Sequence, residues 1–381
     1  MDTRTRMFYI VVNFLIFVSL AAVNTQMIPF MTTVGYTLMQ QGIILAGGAV
    51  CAIVGQFLFG YLCDRFHRIR RFFLIGYVIF LAAAVAMLLH EETLFTYHLF
   101  AIALSAGMVK VLMGLNETWM VEADGEHYGM LRAGGALGLC VGSPLTGFIV
   151  TQASYQVLLY ALLGLTLLVC ILLFFCKDVQ KQGNGSLKRD LGQLLSDRQY
   201  LLLVLILLLI YIAGTADQYT VVDKLLAIGG NAQDVGWKWG IQSFAEVPIF
   251  FIGNLLLKKL QARRLLLIGI CMYAVKFFLY ALFQTPLLLI VCALLQLVTL
   301  PLVLLASKEL IRSISEPSTA SSAQMFAMAV FIGGSALITP LLTSVMVGWI
   351  GYDPTLYAIS AFCLLPLILT RWLHPDRSDG S

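Results

Sequence analysis

The chain has 381 residues, of which 60% are hydrophobic and 12% charged, and its formal net charge is +4. Globular domains carry about a quarter charged residues, whereas runs of about twenty apolar residues mark membrane spans. A soluble enzyme, a nucleic-acid binder and a disordered scaffold are excluded, and the dispersed basic residues read as topology determinants in connecting segments rather than as a phosphate-seeking surface.

Met1 to Arg6 precede an apolar run that continues past Ile28. That run exceeds a signal-peptide core and has no Ala-x-Ala cleavage pattern, so it is expected to be the first span. The chain divides most economically into twelve spans, at about 7–30, 38–62, 72–90, 95–120, 130–152, 155–176, 199–222, 236–257, 264–283, 285–307, 321–347 and 353–373. The predicted fold is an all-α membrane protein with both termini on one side. Arg4, Arg6, Arg65 to Arg71, Lys177 to Arg198, Lys258 to Arg264, Lys308, Arg312, Arg371 and Arg377 fall on that side, and the opposite loops are expected to hold only Lys224 and Lys238. The positive-inside rule then puts both termini in the cytoplasm of a multi-pass protein of the cytoplasmic (inner) membrane.

The loop after the second span contains Gly60, Asp64, Arg65, Arg68 and the pair Arg70-Arg71, followed by Leu74-Ile75-Gly76. An acid among bases beside a helix end suits capping and dipole pairing. The loop after the eighth span repeats the pattern at one constant offset: Gly253, Lys258, Arg263-Arg264 and Leu267-Ile268-Gly269. The longest polar connection, Lys177 to Arg198, contains Gly183-Asn184-Gly185-Ser186 and lies between these copies. The expected organisation is therefore a six-helix bundle over 1–176, a cytoplasmic linker over 177–198 and a second six-helix bundle over 199–381.

Ionisable residues within spans carry the functional argument, because each costs about 2.5–3.5 kcal/mol at the bilayer centre by insertion scales. The fourth span has Lys110 and Glu117, two turns apart and on one face with Met113, Gly114 and Val121, with Asn116 and Trp119 close by. Glu122 is equally a solvated end residue. Arg132 enters the fifth span, where Gly134, Gly138 and Gly142 form a small-residue stripe for close helix approach. Asp217 lies in the seventh span; Gln242, Glu246 and the kink-prone Pro248 lie in the eighth. Lys276 in the ninth span needs a buried partner, for which Asp217 and Glu246 are the candidates. These make three acids and three bases, a balance in which opposite charges stabilise one another's ionised forms. The end of the tenth span, Lys308-Glu309 and Arg312, with Ser313 to Ser322 after it, reads as a solvated helix end rather than a gate.

Eight cysteines lie in or beside apolar runs with no Cys-x-x-Cys pair, and five histidines fall in loops or at span edges without metal-ligand spacing. No cofactor and no metal are expected, and no chemical bond is made or broken.

Twelve spans in two six-helix halves, with Gly60-x-x-x-Asp64-Arg65-x-x-Arg68 after the second span, resemble the major facilitator superfamily over essentially the whole chain. That resemblance implies a cytoplasmic charge-and-cap network at Gly60, Asp64, Arg65 and Arg68 that steadies one conformation. The superfamily's usual second glycine is His67 here. Five stretches narrow the likeness to the lactose-permease-like branch, the oligosaccharide and nucleoside proton symporters with their phenylpropionate-permease relatives. They are Tyr128-Gly129-x-x-Arg132-x-Gly134, Phe244-Ala245-Glu246-Val247-Pro248, Lys276 in place of a span-9 arginine, Asp217-Gln218, and Glu117. The resemblance implies Glu117 and Arg132 as a charge pair contacting substrate hydroxyls, and Glu246 as a substrate or coupling acid. Where the lactose permease has a span-10 histidine and glutamate, this chain has Gln296 and Thr299, and the span-5 aromatic platform for galactose is Leu139.

The expected function is secondary active transport of a small polar solute, sugar-, oligosaccharide- or nucleoside-like, by alternating access with proton coupling. The substrate-binding candidates are Glu117, Arg132, Asn116, Lys110, Trp119, Gln242, Glu246 and Gln296, and the coupling network is Asp217, Glu246 and Lys276. The expected partners are the solute, protons and the lipid bilayer, with no nucleic acid, and the protein is expected to be a monomer. Two alternatives stand beside it: proton-coupled efflux of amphipathic drugs or cations, against which the interior bases argue, and a non-transporting membrane sensor on the same fold, against which the six costly interior charges argue.

Overall fold

The computed structural model describes residues 2–176, 178, 194–315 and 320–373. Most of the expected linker, with its Gly183 to Ser186 run, lies outside the described residues, as do His374, Arg377 and positions 316–319. The described residues form helices and connecting turns: α1 Thr3–Val34, α2 Leu38–Phe66, α3 Ile69–Leu89, α4 Phe95–Asp124, α5 Tyr128–Gln152, α6 Tyr155–Phe175, α7 Arg198–Ala227, α8 Ala232–Leu260, α9 Ala262–Leu282, α10 Pro286–Ile314, α11 Ala323–Ile350 and α12 Tyr352–Trp372. Eleven are long and apolar enough to cross a membrane. The other, α8, has the length at 29 residues, but Lys238, Gln242 and Glu246 dilute its apolar run.

One boundary departs from the sequence reading in a way that matters. Lys224 and Lys238, expected in connecting loops, stand inside α7 and α8 and are both 0% exposed. Helix α7 runs on past residue 222 because Val221, Val222 and Leu225 continue its buried apolar face. It ends at Gly229, whose φ of 95° is a left-handed stop that glycine adopts without steric cost. The connection to α8 is then a short turn.

The contacts gather into two units: Met1–Gly183 with Val222–Phe250 and Gln284–Leu294, and Asn184–Val221 with Phe251–Phe283 and Leu295–Ser381. In the first, α1 packs on α5, α2 on α4, and α3 on α4 and α6. In the second, α7 packs on α11, and α9 on α10 and α12. Adding six to each helix number converts the pairs α1 with α5, α3 with α4 and α3 with α6 into those of the second set, as a duplicated six-helix bundle requires. The repeated glycines keep one job: a Cβ at Gly76 would meet Met108 of α4 at 3.2 Å, and one at Gly269 would press on Val303 of α10 at 2.6 Å.

The α5 glycine stripe faces α1. A Cβ on Gly134 would lie 3.1 Å from the Ile10 carbonyl oxygen, one on Gly142 would lie 2.9 Å from Val18 Cα, and Gly138 abuts the Phe14 carbonyl. Ile10, Phe14 and Val18 are themselves four apart, so one backbone face meets another along two turns.

Between α2 and α3 the chain turns at His67, which takes the left-handed conformation itself at φ 51°. The missing glycine therefore does not open this turn. Arg70 anchors it: its backbone N–H donates to Asp178 Oδ1 at 3.0 Å, and its guanidinium donates to the Cys176 carbonyl at 2.7 Å. Asp64, Arg65 and Arg68 are exposed, Arg65 donating to the Tyr61 hydroxyl at 2.9 Å.

Candidate functional site

In the first unit the polar residues are arranged around α4. Most of this helix is buried, but Ala106, Lys110, Met113, Gly114 and Glu117 are half-buried and Val121 is exposed, at helical spacing. This strip lies roughly 110° around the axis from the exposed Phe100 and Leu104, by the 3.6-residue turn. It is a separate, partly accessible face that carries two ionisable groups, as an interior polar surface would.

Behind it stands a buried amide bridge. Asn13 of α1 donates from Nδ2 to the Leu131 carbonyl at 2.6 Å, and its Oδ1 accepts from Asn116 Nδ2 at 2.7 Å, tying α1, α4 and the start of α5 together. Trp119, 1% exposed, packs edge-on against Tyr9 and Phe73. Asn116 and Trp119 therefore sit on the packed side of α4 and support the accessible strip from within.

Glu117 accepts a hydrogen bond at Oε1 from the Tyr128 hydroxyl at 2.7 Å, and the Arg132 guanidinium lies 5.9 Å from the Phe17 ring. Tyr128 and Arg132 both come from the first turns of α5, which the glycine contacts with α1 hold in place. Tyr128 belongs to the motif noted in the sequence, yet its role was not assigned there. Two residues beyond Glu122, Asp124 binds Arg6 Nε at 2.8 Å and His127 Nδ1 at 3.0 Å, joining the ends of α1 and α4.

Helix α8 contributes a second polar stretch to this unit. Lys238 Nζ donates to Gln242 Oε1 one turn on, at 2.9 Å, and lies 5.2 Å from the Trp239 ring centroid. Gln242 is buried and Glu246 half-buried. Gly236 and Gly240 seat this stretch against α5: a Cβ on Gly240 would lie 2.8 Å from the Cys140 carbonyl oxygen and 2.8 Å from Pro144 Cγ.

In the second unit Lys276 is fully buried and has the partner its position requires. Its ammonium donates to Asp217 Oδ2 at 2.7 Å and to Gln296 Oε1 at 2.7 Å, and it stands 5.5 Å from the Tyr280 ring. Thr299 donates to the same Gln296 oxygen at 3.3 Å. Of the two acids expected to meet Lys276, Asp217 does so. Gln296, expected as a solute contact, is also engaged by the lysine.

Sequence reasoning missed Asn13, Tyr128, Asp223, Lys224 and Lys238. Continuing the apolar face of α7 through Val221, Val222 and Leu225 is the signal that finds Asp223 and Lys224. With them, the ionisable residues buried or half-buried inside the described spans include the acids Glu117, Asp217, Asp223 and Glu246 and the bases Lys110, Arg132, Lys224, Lys238 and Lys276.

Comparison with known proteins follows the same lines. The family model described as MFS_1 like family matches residues 6–353. A curated protein of Escherichia coli (strain K12), the probable 3-phenylpropionic acid transporter, is 26% identical over 359 residues and is matched over 89% of each chain. A crystal structure of a point mutant of the nucleoside transporter NupG superimposes with a TM-score of 0.85 at 12% identity, over 97% of this chain and 99% of that one. The D-xylose-proton symporter does so with a TM-score of 0.75 at 14% identity, over the whole of both chains.

Proposed function

The chain belongs to the MFS_1 like family and is a multi-pass transporter of the major facilitator superfamily, and we propose that it carries a small polar organic solute across the cytoplasmic membrane by alternating access, coupled to protons. The buried Lys276–Asp217 pair is the observation that carries this reading. Breaking such a pair leaves an uncompensated charge, so a proton arriving on Asp217 releases Lys276 to its other partner, Gln296, and biases one arrangement of the helices over another. The neutral side chains at 296 and 299 leave Asp217 and Glu246 as the acids for this step.

Both termini are proposed to be cytoplasmic. With Lys224 and Lys238 inside helices, the connections at 35–37, 90–94, 153–154, 228–231, 283–285 and 351 contain no lysine or arginine, which supports that orientation by the positive-inside rule. The 1–176 and 199–381 division is proposed as the pair of moving bodies.

Two solute classes follow from the relatives. The structural neighbours are named for nucleosides and D-xylose, which suits the sugar- or nucleoside-like reading with Glu117 and Arg132 on hydroxyls. The curated relative is named for an aromatic carboxylic acid, and the bases that stand inside the spans suit that second reading. Accumulation of labelled D-xylose, uridine and 3-phenylpropionate in intact cells, with and without a protonophore, tests the proposal. Protonophore-sensitive uptake of one class is the expected result; extrusion of ethidium with no uptake of any solute overturns it.

A further inference from the structure

Lys110 stands at the middle of α4, about 14 residues from either end, or roughly 21 Å along the axis at 1.5 Å per residue. A lysine side chain spans a fraction of that distance, so its ammonium reaches neither interface. Glu117, the next acid on the same face, is seven residues away, roughly 10 Å along the axis, and its carboxylate accepts from Tyr128. Among the described residues the Lys110 ammonium makes no hydrogen bond and no ion pair; the contact at this position is from Gln56 Nε2 to the Lys110 backbone carbonyl, at 3.4 Å.

The buried lysines whose contacts are described differ. Lys276 has a carboxylate and Lys238 an amide oxygen. Lys110 also lies on the accessible strip of its helix. Between it and Glu117 the strip offers Met113, a flexible apolar side chain, and Gly114, whose missing side chain leaves a recess with its nearest neighbour 3.9 Å from where a Cβ would stand. An ammonium, an apolar floor of about 10 Å and a hydrogen-bonded carboxylate therefore follow one another along one face.

We propose that Lys110 is the anion-binding residue of the solute site and that the solute is an organic monocarboxylate, its carboxylate on the Lys110 ammonium and its apolar body over Met113 and Gly114 toward Glu117. This rests on the transport reading above and narrows its solute class.

The test uses the full-length protein in lipid nanodiscs, with 4-phenylbutanoate and its uncharged isostere 4-phenylbutanamide as probes and D-xylose and uridine as neutral comparisons. Thermal-shift titration is expected to show binding of the carboxylate at least about tenfold tighter than the amide. Lys110→Gln is expected to abolish that preference, and Lys110→Arg to keep it within a few-fold. Equal binding of acid and amide, binding of the neutral probes alone, or an unchanged preference in Lys110→Gln overturns the proposal; if that variant does not fold, the acid-to-amide ratio of the unmodified protein and of Lys110→Arg still decides. Counterflow in proteoliposomes separates the two readings. Exchange of xylose or uridine without the carboxylate sinks this inference and leaves transport standing, whereas Lys110-dependent carboxylate binding without exchange of any probe does the reverse.

Discussion

Lys276 and Asp217 are 59 residues apart in the chain and joined by a 2.7 Å hydrogen bond between fully buried groups. An ammonium in such a place is tolerable only while its acid remains, because removing one partner leaves the other charged and desolvated. Asp217→Asn and Lys276→Gln are each expected to destabilise the protein by about 3 kcal/mol, and the double variant to recover most of the loss. Thermal unfolding of the three variants in detergent gives the comparison; additive losses would mean that the pair does not act as a unit. In the same variants proton-driven accumulation is expected to fall while counterflow persists, since counterflow needs no net proton movement.

The α1–α5 contact gives a prediction with an internal control. Gly142→Ala pushes a methyl group to within 2.9 Å of Val18 Cα, and helix backbone cannot yield as a side-chain tip can. The expected cost is about 1–3 kcal/mol. Gly60→Ala meets nothing within 4 Å and is expected to leave stability within about 0.5 kcal/mol of the original. A loss of transport in Gly60→Ala at unchanged melting temperature would then speak for a conformational role of that end of α2. A melting temperature that drops equally in both variants would contradict the packing argument.

What could be read from sequence, and what could not, divides along physical lines. Apolar runs of membrane length fixed the helices, and the paired loops at Gly60 and Gly253 exposed the repeat, because both depend on local composition and spacing. Lys276 announced its need for an acid, and Asp217 supplies it. Lys224 and Lys238 were misplaced because hydropathy treats a lysine as a loop residue, whereas their burial depends on tertiary packing that no window of sequence contains. Gln296 was legible as a polar interior residue but not as a lysine's partner. Asn13 gave no signal at all: one asparagine in a long apolar helix acquires meaning only when Asn116 and the Leu131 carbonyl are brought beside it.

Tyr128 tests the site around Glu117 without touching a charge. Its hydroxyl donates to Glu117 Oε1 at 2.7 Å, and hydrogen bonds to charged groups are worth about 1.5–3 kcal/mol. Tyr128→Phe keeps the ring and removes that bond, so solute affinity is expected to weaken by about tenfold with little change in melting temperature. Isothermal titration with the best transported solute measures this. An affinity equal to that of the unmodified protein would place Glu117 outside the solute site.

The two turns of the internal repeat make a last prediction. His67 and Gln261 are the non-glycine residues with positive φ among the described positions, and they occupy nearly equivalent places in the paired loops, after α2 and after α8. Their strain differs in kind. His67, at φ 51° and ψ 36°, is in the left-handed helical region, which costs an L-residue roughly 1–2 kcal/mol. Gln261, at φ 60° and ψ 149°, lies at the edge of a region used almost wholly by glycine, at a cost of order 1–3 kcal/mol. Glycine removes either strain but adds freedom to the unfolded chain, which offsets about 0.4–1 kcal/mol. Gln261→Gly is therefore expected to raise the melting temperature more than His67→Gly, while Gln261→Ala, which keeps a Cβ, is expected to give no gain. If alanine stabilises as much as glycine, the side chain and not the backbone conformation is the source of the strain.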